Sequence, residues 1–337
     1  MTIDFDLLSR YYDYAIVFIH QETHPKANGT NTLYRKEACI MNLLEMNPHE
    51  TRFIPLIGSP IGGSTASFLY NKIFAECGIN AMSYPVEVKK GELPEFLAAV
   101  KFMNSPGCIL TSPHKQDIIQ YIDDVDDASR VFRSVNAVRF YEDGHTEGHG
   151  MDGTGVIGAF DDNGVDLKGK EVVMLGAGGI SGIFASELAN RGIRKLTILN
   201  RTAEKAQYVA ETLAARTSVE TAYNTYTPEH ARQAVETADI LIQATTLGMK
   251  GSGQDHPDLS FMEVLPSTAW VMEAVSNPPE TSVIKKAKEL NLRTVLGMEM
   301  LVNQVKALCK FLLDWDAPDE AKQIGIDFYC NLFQYKR

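Results

Sequence analysis

Residues 170–192 read KEVVMLGAGGISGIFASELANRG: five strand-like residues, a glycine turn, then a helix. Few arrangements satisfy that order besides a parallel βαβ unit, in which the strand ends at the turn and the helix packs back across the sheet. Gly176 permits the tight turn after the strand. Gly178 allows a ligand pyrophosphate to approach the backbone, with Ala177 and Gly179 beside it. The helix beginning near Ile180 presents its free N–H groups and positive dipole end to the same place. Ser181 holds the third small position, where close packing is still allowed. KLTILNRT follows as the next strand, AEKAQYVAETLAAR as a helix, and DILIQATT and AWVMEAV as further strands. This succession predicts a Rossmann dinucleotide-binding domain.

The end of the second strand selects the dinucleotide. An acidic residue there accepts from the ribose 2′-hydroxyl of NAD, whereas cations there hold the 2′-phosphate of NADP. The chain offers NRTAEK: Asn200, Arg201 and Thr202, with Lys205 one helical step on. Arg201 can grip a phosphate bidentately and Lys205 adds a point charge, while Glu204 is the contrary residue. NADP is the cofactor this pattern favours.

Upstream, FIPLIG, MSYPVEV, GCILTS and VNAVRF read as strands alternating with the helical SFLYNKIFAECG and ELPEFLAAVKFMN. A second α/β layer with a mostly parallel sheet is expected there. At 337 residues two domains fit better than one core. The glycine-rich GHGMDGTGVIGAF, residues 148–160, reads as the flexible boundary between them. MLVNQVKALCKFLLDW is an amphipathic C-terminal helix. Residues 1 to 50 read as an N-terminal extension without assignable chemistry.

A formal charge of −11 argues against nucleic acid, whose binding relies on Lys and Arg neutralising phosphates. The five cysteines (39, 77, 108, 309 and 330) form no CxxC pair, so a reduced, cytoplasmic protein is expected, and no apolar run spans a bilayer. His145 and His149 stand four apart in HTEGHGMD, but the glycines around them favour a loop over a shared helical face, and no metal is expected.

ILTSPHK, residues 109–115, ends a strand and opens a helix, which places Lys115 in the first helical turn. Alone, such a lysine reads as a solvated charge. Its neighbours change that reading. LIGSPIGGSTASFLYN, ILTSPHK, SVNAV, GHGMDGTG, GAGGIS, NRTAEK, QATTLGM and LGMEMLVNQ together resemble the shikimate dehydrogenase family, in the family's order from about Leu56 to about Phe311. The resemblance implies an α/β fold of two domains: an N-terminal α/β substrate domain (51–155, rejoined by C-terminal helices at 298–337) and a NADP-binding Rossmann domain (156–297). It implies reversible hydride transfer between NADP(H) and a ring hydroxyl or ketone of shikimate. Lys115 and Asp152 match the catalytic pair. Ser64, Thr111, Asn136 and Gln304 match substrate contacts, and Thr245 and Gly297 join the cofactor set. The partner is then a small cyclic molecule, and a homodimer is the expected assembly.

Hydride removal from a secondary alcohol leaves a hydroxyl proton to be moved, so a general base near that oxygen is required. A lysine partly shielded from water suits the task, and a neighbouring carboxylate makes the two titrate as a unit. Proton transfer is assigned to Lys115, and orientation of Lys115 and the substrate hydroxyl to Asp152.

The chain also departs from the family pattern. Ala66 stands for the second serine of SxSP, with Ser67 at the proline, and Ser276 stands for the tyrosine of YxP. Ile109 replaces the asparagine of NVTxPxK, GMD replaces NTD, and Gln243 and Thr246 replace the asparagine and proline of NATPxGM. The catalytic end is kept while the carboxylate end is remodelled, so a carboxylate is expected to be held weakly or replaced by another group. Ser67 or a basic group from the extension is a candidate compensation. A dehydrogenase of quinate or another cyclic polyol, and a non-catalytic ligand-sensing homologue, are the competing readings.

Overall fold

The computed structural model describes residues 50–335 apart from Gly63 and Asn104. The N-terminal extension thus falls almost wholly outside the described residues. Both sheets belong to the unit Met46–Arg337.

The first layer comprises β1 (Arg52–Gly58), α1 (Ala66–Glu76), β2 (Ala81–Glu87), α2 (Leu93–Val100), β3 (Gly107–Leu110), α3 (His114–Asp117), β4 (Asp124–Val125), α4 (Asp127–Phe132), β5 (Ala137–Phe140) and β6 (Thr146–His149). Its strand order is β2-β1-β3-β5-β6-β4. The pairs β1–β2, β1–β3 and β4–β6 are parallel, whereas β3–β5 and β5–β6 run antiparallel. The sheet is therefore mixed rather than mostly parallel, because β5 and β6 form a hairpin that needs no crossover helix.

Helix α5 (Asp152–Asp162) leads into β7 (Glu171–Leu175), α6 (Ser181–Asn190), β8 (Lys195–Asn200), α7 (Ala203–Ala214), β9 (Glu220–Thr225), α8 (Pro228–Val235), β10 (Ile240–Gln243), β11 (Trp270–Glu273), α9 (Ser282–Glu289) and β12 (Arg293–Val295). All strands here are parallel, in the order β12-β11-β10-β7-β8-β9. That is the doubly wound order, in which the order of the strands reverses between β7 and β10. Strands β7 and β10 are apolar and buried almost throughout, as central parallel strands covered on both faces must be. Helices α10 (Gly297–Leu313) and α11 (Glu320–Leu332) return to the first sheet. There Val302, Val305, Leu308 and Tyr329 share a core with Leu69, Ile73 and Ile109.

The GHGMDGTGVIGAF stretch is not a loop. His149 ends β6, and α5 runs from Asp152 to Asp162. Its glycines serve close packing: a Cβ on Gly155 would stand 2.6 Å from the Met300 carbonyl, and one on Gly158 2.6 Å from Asn303 Oδ1. Three residues apart, they share one face of α5 and let α10 lie against it. On another side Gly153 admits Glu187 and Ile183 of α6. The segment read as a flexible boundary is thus largely helical, packed closely on both α6 and α10.

Candidate active site

Strand β3 delivers the catalytic candidate. The Leu110 N–H donates to Asn136 and the Thr111 N–H to Ile57, which fixes the chain just before α3 opens. Lys115 is the second residue of α3, and its carbonyl accepts from Val135 N at 2.9 Å. Asn136 is anchored in turn by the His149 carbonyl and leads into β5. Asp152 opens α5, where the helix N-terminus favours negative charge. Gln304 arrives on α10, which the glycines of α5 bring close.

These four side chains meet. Lys115 Nζ donates to Asp152 Oδ2 at 2.6 Å, while Asn136 Nδ2 (3.1 Å) and Gln304 Nε2 (2.9 Å) donate to Asp152 Oδ1. Asn136 Oδ1 accepts from Met151 N at 2.6 Å. Asp152 is only 5% exposed, and the Lys115 side chain keeps 15% of its surface accessible. A buried carboxylate with three donors is fully satisfied, and its lysine partner sits at the edge of solvent, where a substrate hydroxyl can reach it.

Ser64 and Thr111 are half-buried, and no hydrogen bond among the described residues joins their side chains to these four. Ser64 Oγ accepts from Ala66 N at 3.4 Å. The candidate compensation by Ser67 is not what the side chain does: it is buried, with its hydroxyl 3.1 Å from that of Ser83. His145 and His149 flank the β5–β6 hairpin on acidic neighbours; His149 Nε2 lies 2.7 Å from Glu147 Oε1. His145 lies in the hairpin loop, as expected, whereas His149 is the last residue of β6.

At the other layer, Gly176 has φ +110, and a Cβ there would lie 2.8 Å from the Ala244 carbonyl, so β7 turns hard against the end of β10. Gly178 and Gly179 are exposed, with nothing within 4 Å of a Cβ position. Ile180 is the N-cap of α6 and supplies no side-chain cap, leaving helix N–H groups available. Ser181 is fully buried, and its Oγ accepts from Gly178 N at 3.0 Å. The close helix approach falls instead at Gly182, whose Cβ position is 2.5 Å from Phe132. Asn200 Oδ1 accepts from Ala177 N at 3.1 Å and Asn200 Nδ2 donates to the Thr202 carbonyl, so this residue ties the turn to the end of β8. Arg201, Thr202 and Lys205 are exposed, and neither cation has an ion-pair partner among the described residues. Gly297 opens α10 with its Cβ position 2.3 Å from the Val275 carbonyl.

One cluster has no counterpart in the sequence reading. Glu273, at the end of β11, is fully buried. It accepts from Thr281 Oγ1 (2.6 Å), Val275 N (2.9 Å) and Gln243 Nε2 (3.2 Å). Gln243 Oε1 also accepts from Thr245 N at 2.6 Å, so the pair knits together the loops after β10 and β11. A lone acid inside the apolar AWVMEAV was the available signal. Burial pushes this carboxyl up to about 7, against the pull of its donors. The native state therefore holds the proton through a range where an unfolded glutamate has lost it, so this contribution to stability is full at low pH and is lost as pH rises through about 7. Between pH 5 and 8 the wild type is expected to lose roughly 3 kcal/mol more than Glu273→Gln. Denaturant melts at both pH values check this; equal losses would remove Glu273 from the account.

Residues 56–138 match the family model described as shikimate dehydrogenase substrate binding domain, and residues 160–249 the model described as shikimate / quinate 5-dehydrogenase. A relative from Alkaliphilus metalliredigens, named shikimate dehydrogenase (NADP(+)), is 32% identical over 80% of this chain and 94% of its own. The chain belongs to the shikimate dehydrogenase family. This family member is an oxidoreductase of two α/β layers. A second relative of the same name, from Alkaliphilus oremlandii, is 33% identical over 76% of this chain and 89% of its own. Among solved structures, a shikimate dehydrogenase in complex with NADP+ is similar at a TM-score of 0.74 and 28% identity, covering 83% of this chain and 96% of that one. A ligand-free 5-ketofructose reductase of Gluconobacter sp. reaches 0.73 at 27% identity over 83% and 99%. No helix among the described residues is long and apolar enough to cross a membrane.

Proposed function

We propose that this protein transfers a hydride reversibly between NADP(H) and a ring hydroxyl or ketone of shikimate (3-dehydroshikimate) or a close analogue. The observation that supports it most is the Lys115–Asp152 pair with both oxygens of Asp152 engaged by Lys115, Asn136 and Gln304. The relatives named shikimate dehydrogenase (NADP(+)) agree with that reading. Bound NADP supplies the nicotinamide carbon that exchanges the hydride. The side chains do the rest. Lys115 Nζ takes the hydroxyl proton during oxidation and returns it during reduction. Asp152 holds Lys115 in place and accepts from it. Asn136 and Gln304 each retain a second amide hydrogen for a ring oxygen, and Thr111 and Ser64 add hydroxyls.

For the cofactor, the Gly179 and Ile180 N–H groups at the uncapped start of α6 would meet the pyrophosphate. Arg201 and Lys205 would meet the 2′-phosphate, and Thr245, just after β10, and Gly297, packed against Val275 after β11, would stand on the nicotinamide side. In this reading the enzyme works in the cytoplasm, in keeping with free thiols at Cys77, Cys108, Cys309 and Cys330. Assembly as a homodimer is part of the same proposal and is checked by sedimentation.

The cofactor half is tested by steady-state kinetics with both dinucleotides. NADP is expected to exceed NAD in kcat/KM, and Arg201→Ala to cut that preference about ten- to a hundredfold, the cost of one charge-assisted phosphate contact. Equal efficiency of the wild type with NAD would refute the assignment.

A further inference from the structure

Three hydroxyls converge where the loop after β11 faces the start of α1. Tyr329 of α11 is completely buried, and its phenol oxygen lies 2.8 Å from Thr65 Oγ1. The Ser276 side chain lies close enough to the same phenol to favour its ionised form. Thr65 stands at the N-cap of α1 yet makes no capping bond, its side chain being engaged with Tyr329. The placement of Tyr329 is firm. A Cβ on Gly325, one turn earlier, would meet Val302 Cγ2 at 2.9 Å, so α11 lies tight on α10. The ring stacks on Phe333 and meets Phe328 edge-on, both at 5.7 Å. Residue 276 is where the family pattern has a tyrosine; here a phenol reaches that point from another helix.

We propose that Tyr329 is a positioning residue which, through Thr65 and Ser276, makes the far end of the site select an uncharged, hydroxyl-bearing substituent over a carboxylate. The inference rests on the ring-hydroxyl dehydrogenase reading above and names the substrate class within it. Each hydroxyl carries one proton and accepts at its oxygen. The Thr65–Tyr329 bond uses one of that pair's two protons, and the Ser276 hydroxyl beside the phenol brings one more. Ser64 adds one more, since its oxygen accepts from Ala66 N, and Ala66 adds none. A carboxylate only accepts, and burying one short of donors is costly. A substrate hydroxyl both donates and accepts, which matches a chain richer in lone pairs than in protons.

Tyr329→Phe keeps the ring and its stacking but removes the hydroxyl, releasing the Thr65 hydroxyl to donate outward beside Ser276. The test compares shikimate with the same ring bearing hydroxymethyl in place of the carboxylate, in the presence of NADP. Kd comes from calorimetry and kcat and KM from turnover. The wild type is expected to bind the hydroxymethyl compound more tightly. In Tyr329→Phe that preference should fall about tenfold, through Kd and KM rather than kcat. Ala66→Ser, which restores a donor without touching α11, should tighten shikimate alone by a similar factor and serves if the first variant does not fold. Weaker binding of both ligands at an unchanged ratio would mean that Tyr329 only packs, and would overturn the proposal. So would a wild type that prefers shikimate. Failure of the wild type to bind either ring would instead overturn the functional reading, and this inference with it.

Discussion

Lys115→Ala is expected to lower kcat by about 10²-fold or more while leaving the affinity for NADP nearly unchanged. In the proposed reaction the hydride leaves carbon as the hydroxyl proton leaves oxygen, and Lys115 Nζ is the group at the edge of solvent that can take it. Its position does not depend on the cofactor turn: α3 is fixed by the Thr111 and Val135 backbone bonds, all within the first sheet. Removing the amine leaves Asp152 with two of its three donors, Asn136 and Gln304, but without its counter-charge, so a denaturant melt accompanies the kinetics and separates lost stability from lost chemistry. Single-turnover and steady-state rates, with cofactor titrated separately, give the measurement. Turnover at the wild-type level would reduce Lys115 to a partner in a buried ion pair.

The parts of this structure that a reader of the chain could anticipate are those where local pattern and tertiary role coincide. The run from Lys170 to Gly192 folds as strand, turn and helix because its apolar strand residues must be covered on both faces and its glycines permit what the turn demands. Lys115 and Asp152 stand out through their surrounding motifs. The misreadings have physical causes. Glycine in GTGVIGAF looks like flexibility, yet Gly155 and Gly158 answer to the closeness of α10, which no local pattern reveals. Strand β9, ETAYNT, is a largely exposed edge strand and lacks the apolar run that marks β7. The hydroxyl of Tyr329 was hidden for a different reason: it reaches Thr65 across 264 residues of chain, and nothing in IDFYCNL distinguishes a core tyrosine from one bonded to the start of a distant helix. Ser276, which stands where the family pattern has a tyrosine, lies beside that phenol.

Substitution of Asp152 is expected to affect both stability and rate, and the comparison with Lys115 shows why. Three donors from three elements, α3, the residue preceding β5, and α10, converge on two carboxylate oxygens. Asp152→Asn preserves shape but turns one oxygen into an amide donor. Whichever way the amide is placed, a donor faces a donor: the Lys115 ammonium on one side, or the Asn136 and Gln304 amides on the other. Breaking a buried pair by altering one partner leaves the other charge uncompensated, at a cost of about 3–5 kcal/mol when removal is complete. For the isosteric amide, about 2–4 kcal/mol of unfolding free energy is expected to go, because part of the hydrogen bonding survives. Activity should fall at least as far as in Lys115→Ala, since the lysine loses the group that orients it and the amides of Asn136 and Gln304 lose their anchor. The two measurements are a denaturant melt and kcat/KM, made on Asp152→Asn, Lys115→Ala and the double variant. If the pair acts as one unit, the double variant should be no slower than the slower single variant. Additive losses in kcat/KM would mean that Asp152 and Lys115 act separately, and the proton-transfer assignment would have to be divided between them.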